Sequence, residues 1–223
     1  MHATQVPKIK AAIFDMDGLM LDTEMLFKRG WMHALKLHGQ AMGDDIFVRM
    51  IGRTAVDSER MLLAEYGPDF PLLDVRVDCE KWIRAYVGEH GVPKKPGIVE
   101  LLEHLKRAGI PLAVATSTAR FHAEPRLMLA GLWPYFQASV CGDEVSAGKP
   151  NPEIFLRAAE KLGMPPQHCV ILEDSLAGIT GAHAAGAIPI MIPDLVSPTP
   201  EVAALTHRIF PSLVEARTYL AGL

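Results

Sequence analysis

Two aspartates one residue apart, Asp15 and Asp17, end an apolar run and are followed at once by a glycine, in the stretch Ala11-Ala12-Ile13-Phe14-Asp15-Met16-Asp17-Gly18. Two carboxylates this close repel, and in an extended chain the two-residue period would put both on one side. A hard divalent cation that prefers oxygen ligands is the simplest neutraliser. An ionised aspartate can attack phosphorus and form an acyl phosphate. Splitting a hydrolysis in this way lets one neighbouring group act first as acid and then as base. Asp15, the first off the apolar run, fits the nucleophile. Asp17 fits the acid and base. Gly18 removes a β-carbon where backbone and substrate must approach closely.

Three more places along the chain offer matching chemistry. Thr116 and Ser117 follow an apolar run, and hydroxyls with backbone N–H groups at a strand-to-helix junction make an anion seat. Thr116 fits a helix N-cap as well as a phosphate ligand. Lys149, set between Gly148 and Pro150, could offset the negative charge of nucleophile and phosphate together. Glu173 and Asp174 end another apolar run, and beside Asp15 and Asp17 they would complete the oxygen shell of a Mg²⁺ ion with waters and phosphate. Asp174 is favoured as the direct ligand, with Glu173 as second choice or as a group that orients a ligand. Arg120 and His122 are candidate pocket residues. The turn Gly52-Arg53-Thr54 with Ser58 offers either a substrate contact through Arg53 or a helix start capped by Thr54.

Positioning these residues requires alternating elements. Ile9–Phe14, Pro111–Ala115, Ala138–Cys141, Cys169–Leu172 and Ile188–Ile192 read as strands. Ile98–Ala108, Phe121–Ala130, Pro152–Leu162 and Leu176–Ala185 read as the helices between them, with Gly109, Gly131, Gly163 and Gly186 as terminators and Pro152 in a first turn. Strands alternating with helices predict an α/β fold, a Rossmann-like parallel sheet with helices on both faces, and continuously apolar strands suit burial on both sides. Ligands of such sheets bind beyond the carboxyl ends of the strands, where the acids and hydroxyls lie. Residues 24–90 break the alternation. Met25–His38, Asp44–Met50, Ala55–Tyr66 and Leu72–Val87 read as helices, with Met25, Met32 and Leu35, and Val56, Met61 and Leu62, as packing stripes. The predicted organisation is a core of residues 1–23 plus 91–223 and an all-helical cap of residues 24–90, with a return linker at Gly91-Val92-Pro93-Lys94-Lys95-Pro96-Gly97.

Composition narrows the function. The chain has 223 residues, 49% hydrophobic and 22% charged, with a formal net charge of −4, which points to neither nucleic acid nor an anionic membrane surface as partner. Its three cysteines show no CxxC spacing, so a reducing cytoplasm is the natural reading. Met1 to Lys8 lacks the apolar region of a signal peptide, and no run reaches the ~20 apolar residues of a membrane span. The chain is read as a cytoplasmic monomer acting on a small molecule. The absence of GxxxxGK[ST] and GxSxG argues against a P-loop and a serine hydrolase.

As a set, Asp15-Met16-Asp17-Gly18 with Asp22-Thr23, then Thr116, Lys149-Pro150 and Glu173-Asp174-Ser175, resemble the four motifs of the haloacid dehalogenase (HAD) superfamily, in order and across essentially the whole chain. The helical insert after the first motif is similar to the cap of its β-phosphoglucomutase-like and sugar-phosphate phosphatase branch. The resemblance implies Mg²⁺-dependent aspartyl-phosphate chemistry on a small phosphorylated metabolite, with the cap closing over the site. It implies Asp15, the backbone carbonyl of Asp17 and Asp174 as metal ligands. β-Phosphoglucomutases carry a histidine where this chain has Phe27 in Phe27-Lys28-Arg29-Gly30-Trp31, which favours a phosphatase over a phosphomutase. A phosphomutase is the alternative, and a non-catalytic phosphate-binding module a third reading.

Overall fold

The computed structural model describes residues 9–50 and 55–222. They form two compact units. One holds the described residues of Thr23–Pro93, the other those up to Asp22 and from Lys94 onward. Arg53, with Gly52 and Thr54, lies outside the described residues.

The Thr23–Pro93 unit is built from four helices, α1 (Thr23–Leu37), α2 (Asp44–Met50), α3 (Ala55–Tyr66) and α4 (Leu72–His90). Its core joins Ala34, Leu35, Phe47, Met61, Leu62, Phe70, Val75 and Cys79. The stripe on α1 differs in part from expectation: Leu35 is buried as expected, but Met32 is exposed, and Leu26, Gly30 and Ala34 are buried instead. The reason is close helix approach. A β-carbon at Gly30 would strike Ile83 of α4, so the small residue at this position lets the two backbones draw together.

The second unit carries a six-stranded sheet, all parallel: β1 (Ala11–Phe14), β2 (Leu112–Thr116), β3 (Ala138–Cys141), β4 (Cys169–Glu173), β5 (Ile188–Met191) and β6 (Arg208–Ile209), in the order β3-β2-β1-β4-β5-β6. The helices are α5 (Ile98–Arg107), α6 (Arg120–Leu129), α7 (Glu153–Lys161), α8 (Leu176–Ala184), α9 (Pro200–Leu205) and α10 (Leu213–Ala221). All five predicted strands form, and β6 is an addition too short to show a pattern. Pro152 occupies the N-cap of α7, one residue before the predicted first turn.

Both faces of the sheet are covered. Ile13, Ala113, Ala115, Val140 and Ile171 pack with Ile154, Phe155, Ala158 and Ala159 of α7 and Ala182 of α8. The alternating residues Ala12, Phe14, Leu112, Val114, Val170 and Leu172 are buried as completely. Burying each large aliphatic or aromatic chain contributes about 2 kcal/mol, so these short strands are held by their two-sided apolar environment. At the β3 edge, the Ser139 carbonyl accepts from Lys161 Nζ at 2.9 Å and from Arg120 Nη2 at 3.4 Å. Glu144 pairs with both cations.

The chain leaves this unit after Asp22 and returns at Lys94. An isolated antiparallel bridge joins Leu21 to Lys94. Lys95 Nζ lies 3.1 Å from Asp22 and 2.6 Å from Asp194, fastening both crossings. No helix among the described residues is long and apolar enough to cross a membrane.

Candidate active site

The strand order puts the three chemically marked strand ends side by side. From β1 the chain runs outward to β2 and β3, and β4 then returns to the other flank of β1. The direction of winding therefore reverses beside β1, the place where open α/β sheets bind ligands. Neighbouring strands lie roughly 5 Å apart, so side chains leaving β2, β1 and β4 at the same end reach one another.

Asp15 follows directly on β1, its N–H still paired to the Leu172 carbonyl of β4. The chain then turns tightly, with Met20 and Leu21 both donating to the Met16 carbonyl. Gly18 sits in that turn at φ 81°, a left-handed conformation that disfavours any side chain. A β-carbon there would also collide with the Asp174 carboxylate, so glycine is required twice over.

Lys149 links the strand ends. Its ammonium donates to Asp15 Oδ1, to the Ala115 carbonyl of β2 at 3.1 Å and to Glu173 Oε1 at 2.5 Å, one acceptor for each of its three protons. The Phe155 ring lies 5.2 Å from the ammonium. Glu173 is fully buried, and its other oxygen accepts from Ser175 N and Ser175 Oγ, each at 2.9 Å. Ser175 in turn caps α8, accepting from Gly178 N at 3.0 Å.

One ammonium serves too many acids. Asp15, Glu173 and Asp174 bring carboxylate oxygens within 4.8 Å of one another. Burial pushes the Asp15 carboxyl up, Lys149 pulls it down, and Glu173 and Asp17 push it up again, to about 7. Burial, then Glu173 and Asp15, hold Asp174 well above the usual carboxylate range. Lys149 is also raised: burial disfavours its charge, but Asp15 and Glu173 more than offset that and keep it protonated. An all-oxygen donor set with this excess of negative charge fits a hard cation. Both Glu173 oxygens are already engaged by protein donors, which leaves Asp15 and Asp174 as the better placed carboxylates. The Asp17 carboxylate stands outside this group.

Asp17 has a different environment. Its Oδ2 accepts from Thr118 Oγ1 at 2.6 Å, and its Oδ1 lies 3.3 Å from Arg126 Nη1 of α6. Thr116 ends β2, almost fully buried, and its Oγ1 accepts from Thr118 N at 3.1 Å. It does not cap α6, whose N-cap is Ala119. Ser117 is exposed on the same loop. Arg120 and His122 do not join the acids: Arg120 turns to Ser139 and Glu144, and His122 packs edge-on against Phe121.

Residues 9–186 match the haloacid dehalogenase-like hydrolase family. The chain is a haloacid dehalogenase-like hydrolase. It is 35% identical over 180 residues to a phosphorylated carbohydrates phosphatase of Thermotoga maritima, covering 80% of this chain and 82% of that one. It is 32% identical over 186 residues to hexitol phosphatase A of Escherichia coli, covering 83% of each. Among solved structures, one from Thermotoga maritima provisionally named a β-phosphoglucomutase superposes with a TM-score of 0.84 at 28% identity, over 96% of this chain and all of that one.

In this hydrolase three site groups lay beyond the sequence reading. Thr118 stood in plain view as the third hydroxyl of Thr116-Ser117-Thr118. Arg126 gave no signal, being a charged residue on a helix. The Ala115 carbonyl is a backbone atom, which sequence does not mark.

Proposed function

We propose that this hydrolase is a phosphatase for a small phosphomonoester, a phosphorylated sugar or similar metabolite, acting through an aspartyl phosphate on Asp15. The observation that carries the reading is the unequal treatment of two neighbouring acids. Asp15 sits against Lys149 within the acidic group, whereas Asp17 is turned to Thr118 and Arg126. Environments that separate two carboxylates assign them different roles. The names of the phosphatase relatives support the substrate class.

In this reading Asp15 attacks phosphorus, and the bond to the leaving oxygen breaks as Asp17 delivers a proton to that oxygen. Asp17, now a carboxylate, takes a proton from the water that cleaves the aspartyl phosphate, releasing inorganic phosphate and restoring Asp15. Lys149 steadies Asp15 and its phosphorylated form. Thr116, whose oxygen already accepts a bond, has its hydroxyl proton left for a phosphoryl oxygen, and Ser117 and Gly18 line the same seat. A Mg²⁺ ion on Asp15, Asp174 and the Asp17 backbone carbonyl would keep Asp15 ionised and offset charge on the phosphoryl oxygens, with Glu173 orienting the site through Lys149. Residues 1–23 with 91–223 would form the catalytic core of a cytoplasmic monomer, and residues 24–90, with Arg53, a cap that selects the leaving group.

Phosphate release from a panel of sugar, polyol and nucleoside monophosphates tests this reading. Chelation should abolish turnover and Mg²⁺ restore it. Asp15→Asn should lose at least about 10³-fold; turnover at the wild-type rate would rule out the nucleophile assignment. Conversion of a hexose 1-phosphate to the 6-phosphate with little free phosphate would make the enzyme a mutase instead.

A further inference from the structure

We propose that Arg126 and Thr118 together form a positioning clasp that sets the plane of the Asp17 carboxyl group, so that its protonated form meets the leaving oxygen and its carboxylate form meets the attacking water. The inference rests on the acid and base roles given to Asp17 above. It adds two residues that act through Asp17 without being required to touch substrate.

Each Asp17 oxygen has its own donor from the clasp. Thr118 supplies a short hydroxyl contact to Oδ2 at 2.6 Å, and Arg126 supplies a guanidinium at 3.3 Å from Oδ1. A carboxylate gripped at one oxygen still rotates about its Cβ–Cγ bond, whereas two donors from different directions fix the plane of the group. The donors come from separate parts of one strand-loop-helix unit. Thr118 is in the loop after β2, anchored by its own N–H to Thr116 Oγ1. Arg126 is in the second turn of α6, about 9 Å along the helix from Arg120. Helical side chains lean toward the N-terminus, so a long arginine arm from this turn points back toward the strand ends. Aspartate two residues after the nucleophile is thus held from the loop after β2 and from α6. Part of the Arg126 and Asp17 side chains stays accessible, at 28% and 24%, so the clasp leaves the acid open to a reacting group.

Positioning of an acid is read by leaving-group dependence. kcat/KM reports steps through departure of the leaving group, and substituted phenyl phosphates vary that group's basicity with little change in shape. A well-placed acid makes the rate insensitive to basicity; a misplaced one leaves poor leaving groups behind. The measurement is the slope of log kcat/KM against leaving-group pKa for wild type, Arg126→Gln, Arg126→Lys, Thr118→Val and Asp17→Asn, with melting temperatures alongside. Arg126→Gln and Thr118→Val should lose about tenfold on the most basic leaving group and under about twofold on p-nitrophenyl phosphate, with Arg126→Lys in between. Asp17→Asn should show the steepest slope. If Asp17→Asn is steep and both clasp variants keep the wild-type slope, the clasp is wrong while the role of Asp17 stands. If Asp17→Asn is itself as shallow as wild type, the acid role fails and the clasp falls with it. A uniform loss across the series would make Arg126 a purely structural residue and overturn the proposal. If Arg126→Gln does not fold, Thr118→Val and Arg126→Lys decide the matter by the same slopes.

Discussion

At the scale of single residues, the site turns on one ammonium shared among acids. Without a cation, the folded protein holds a proton on Asp15 up to about pH 7, whereas the unfolded chain releases it near 3.8. The folded state therefore binds more protons between those values, so the stability of the metal-free protein falls as pH rises from about 4 to 7 and levels off above. Mg²⁺ must displace that proton. Calorimetric titration at pH 6 in two buffers of different ionisation enthalpy should show proton release and weaker binding, and at pH 8 the buffer dependence should fade. Binding at pH 6 as tight as at pH 8, with no proton released, would contradict the charge arrangement around Asp15. Asp15, Lys149 and Asp174 were legible in the sequence because their neighbours, Gly18, Pro150 and Ser175, mark turns at the ends of apolar runs. Arg126 was not, because a helix surface carries charges for many reasons and only the fold shows which one faces an acid.

Among the elements, α8 does more than cover the sheet. Its cap residue Ser175 holds Glu173, and its Gly178 passes so close to the Glu173 carboxylate that a β-carbon would collide with it. Alanine normally favours a helix over glycine by about 1 kcal/mol. Here the opposing term wins, because Glu173 is fully buried and held at both oxygens and has nowhere to move. Gly178→Ala should lower stability by about 1–3 kcal/mol in urea unfolding and reduce turnover with it, since Lys149 would lose its seat. Stabilisation by this substitution would show that the carboxylate yields easily. Four of the longer strands were readable as continuous apolar runs and β3, interrupted by Ser139, more weakly; α7 was readable with its glycine terminator. The elements α9, β6 and α10 were not, although Thr199 followed by Pro200 is a helix start that the structure confirms through the Thr199 side chain accepting from Val202 N. Two residues of β6 cannot display a period, and Leu213, Ala216 and Leu220 of α10 mark its buried side too sparsely to separate it from a loop.

For the whole molecule, each unit has its own apolar core, and damage to one should be readable separately from the other. Leu62 is fully buried among the helices of Thr23–Pro93. Leu62→Ala should cost that unit about 2–5 kcal/mol. Amide exchange should then speed up across α1 and α4, while β1, β2 and β4 keep their protection; equal loss in both would mean a single cooperative core. The open border of the sheet has another kind of consequence. An unpaired strand edge is a template on which a further strand, from any chain, can add. At β3 the Ser139 carbonyl is already taken by Lys161 and Arg120, and Glu144 locks those two cations in place. A newcomer would have to strip away two charged donors before it could bond to that carbonyl. The same three residues, which take no part in the acidic group, thereby make this edge a poorer template for an added strand.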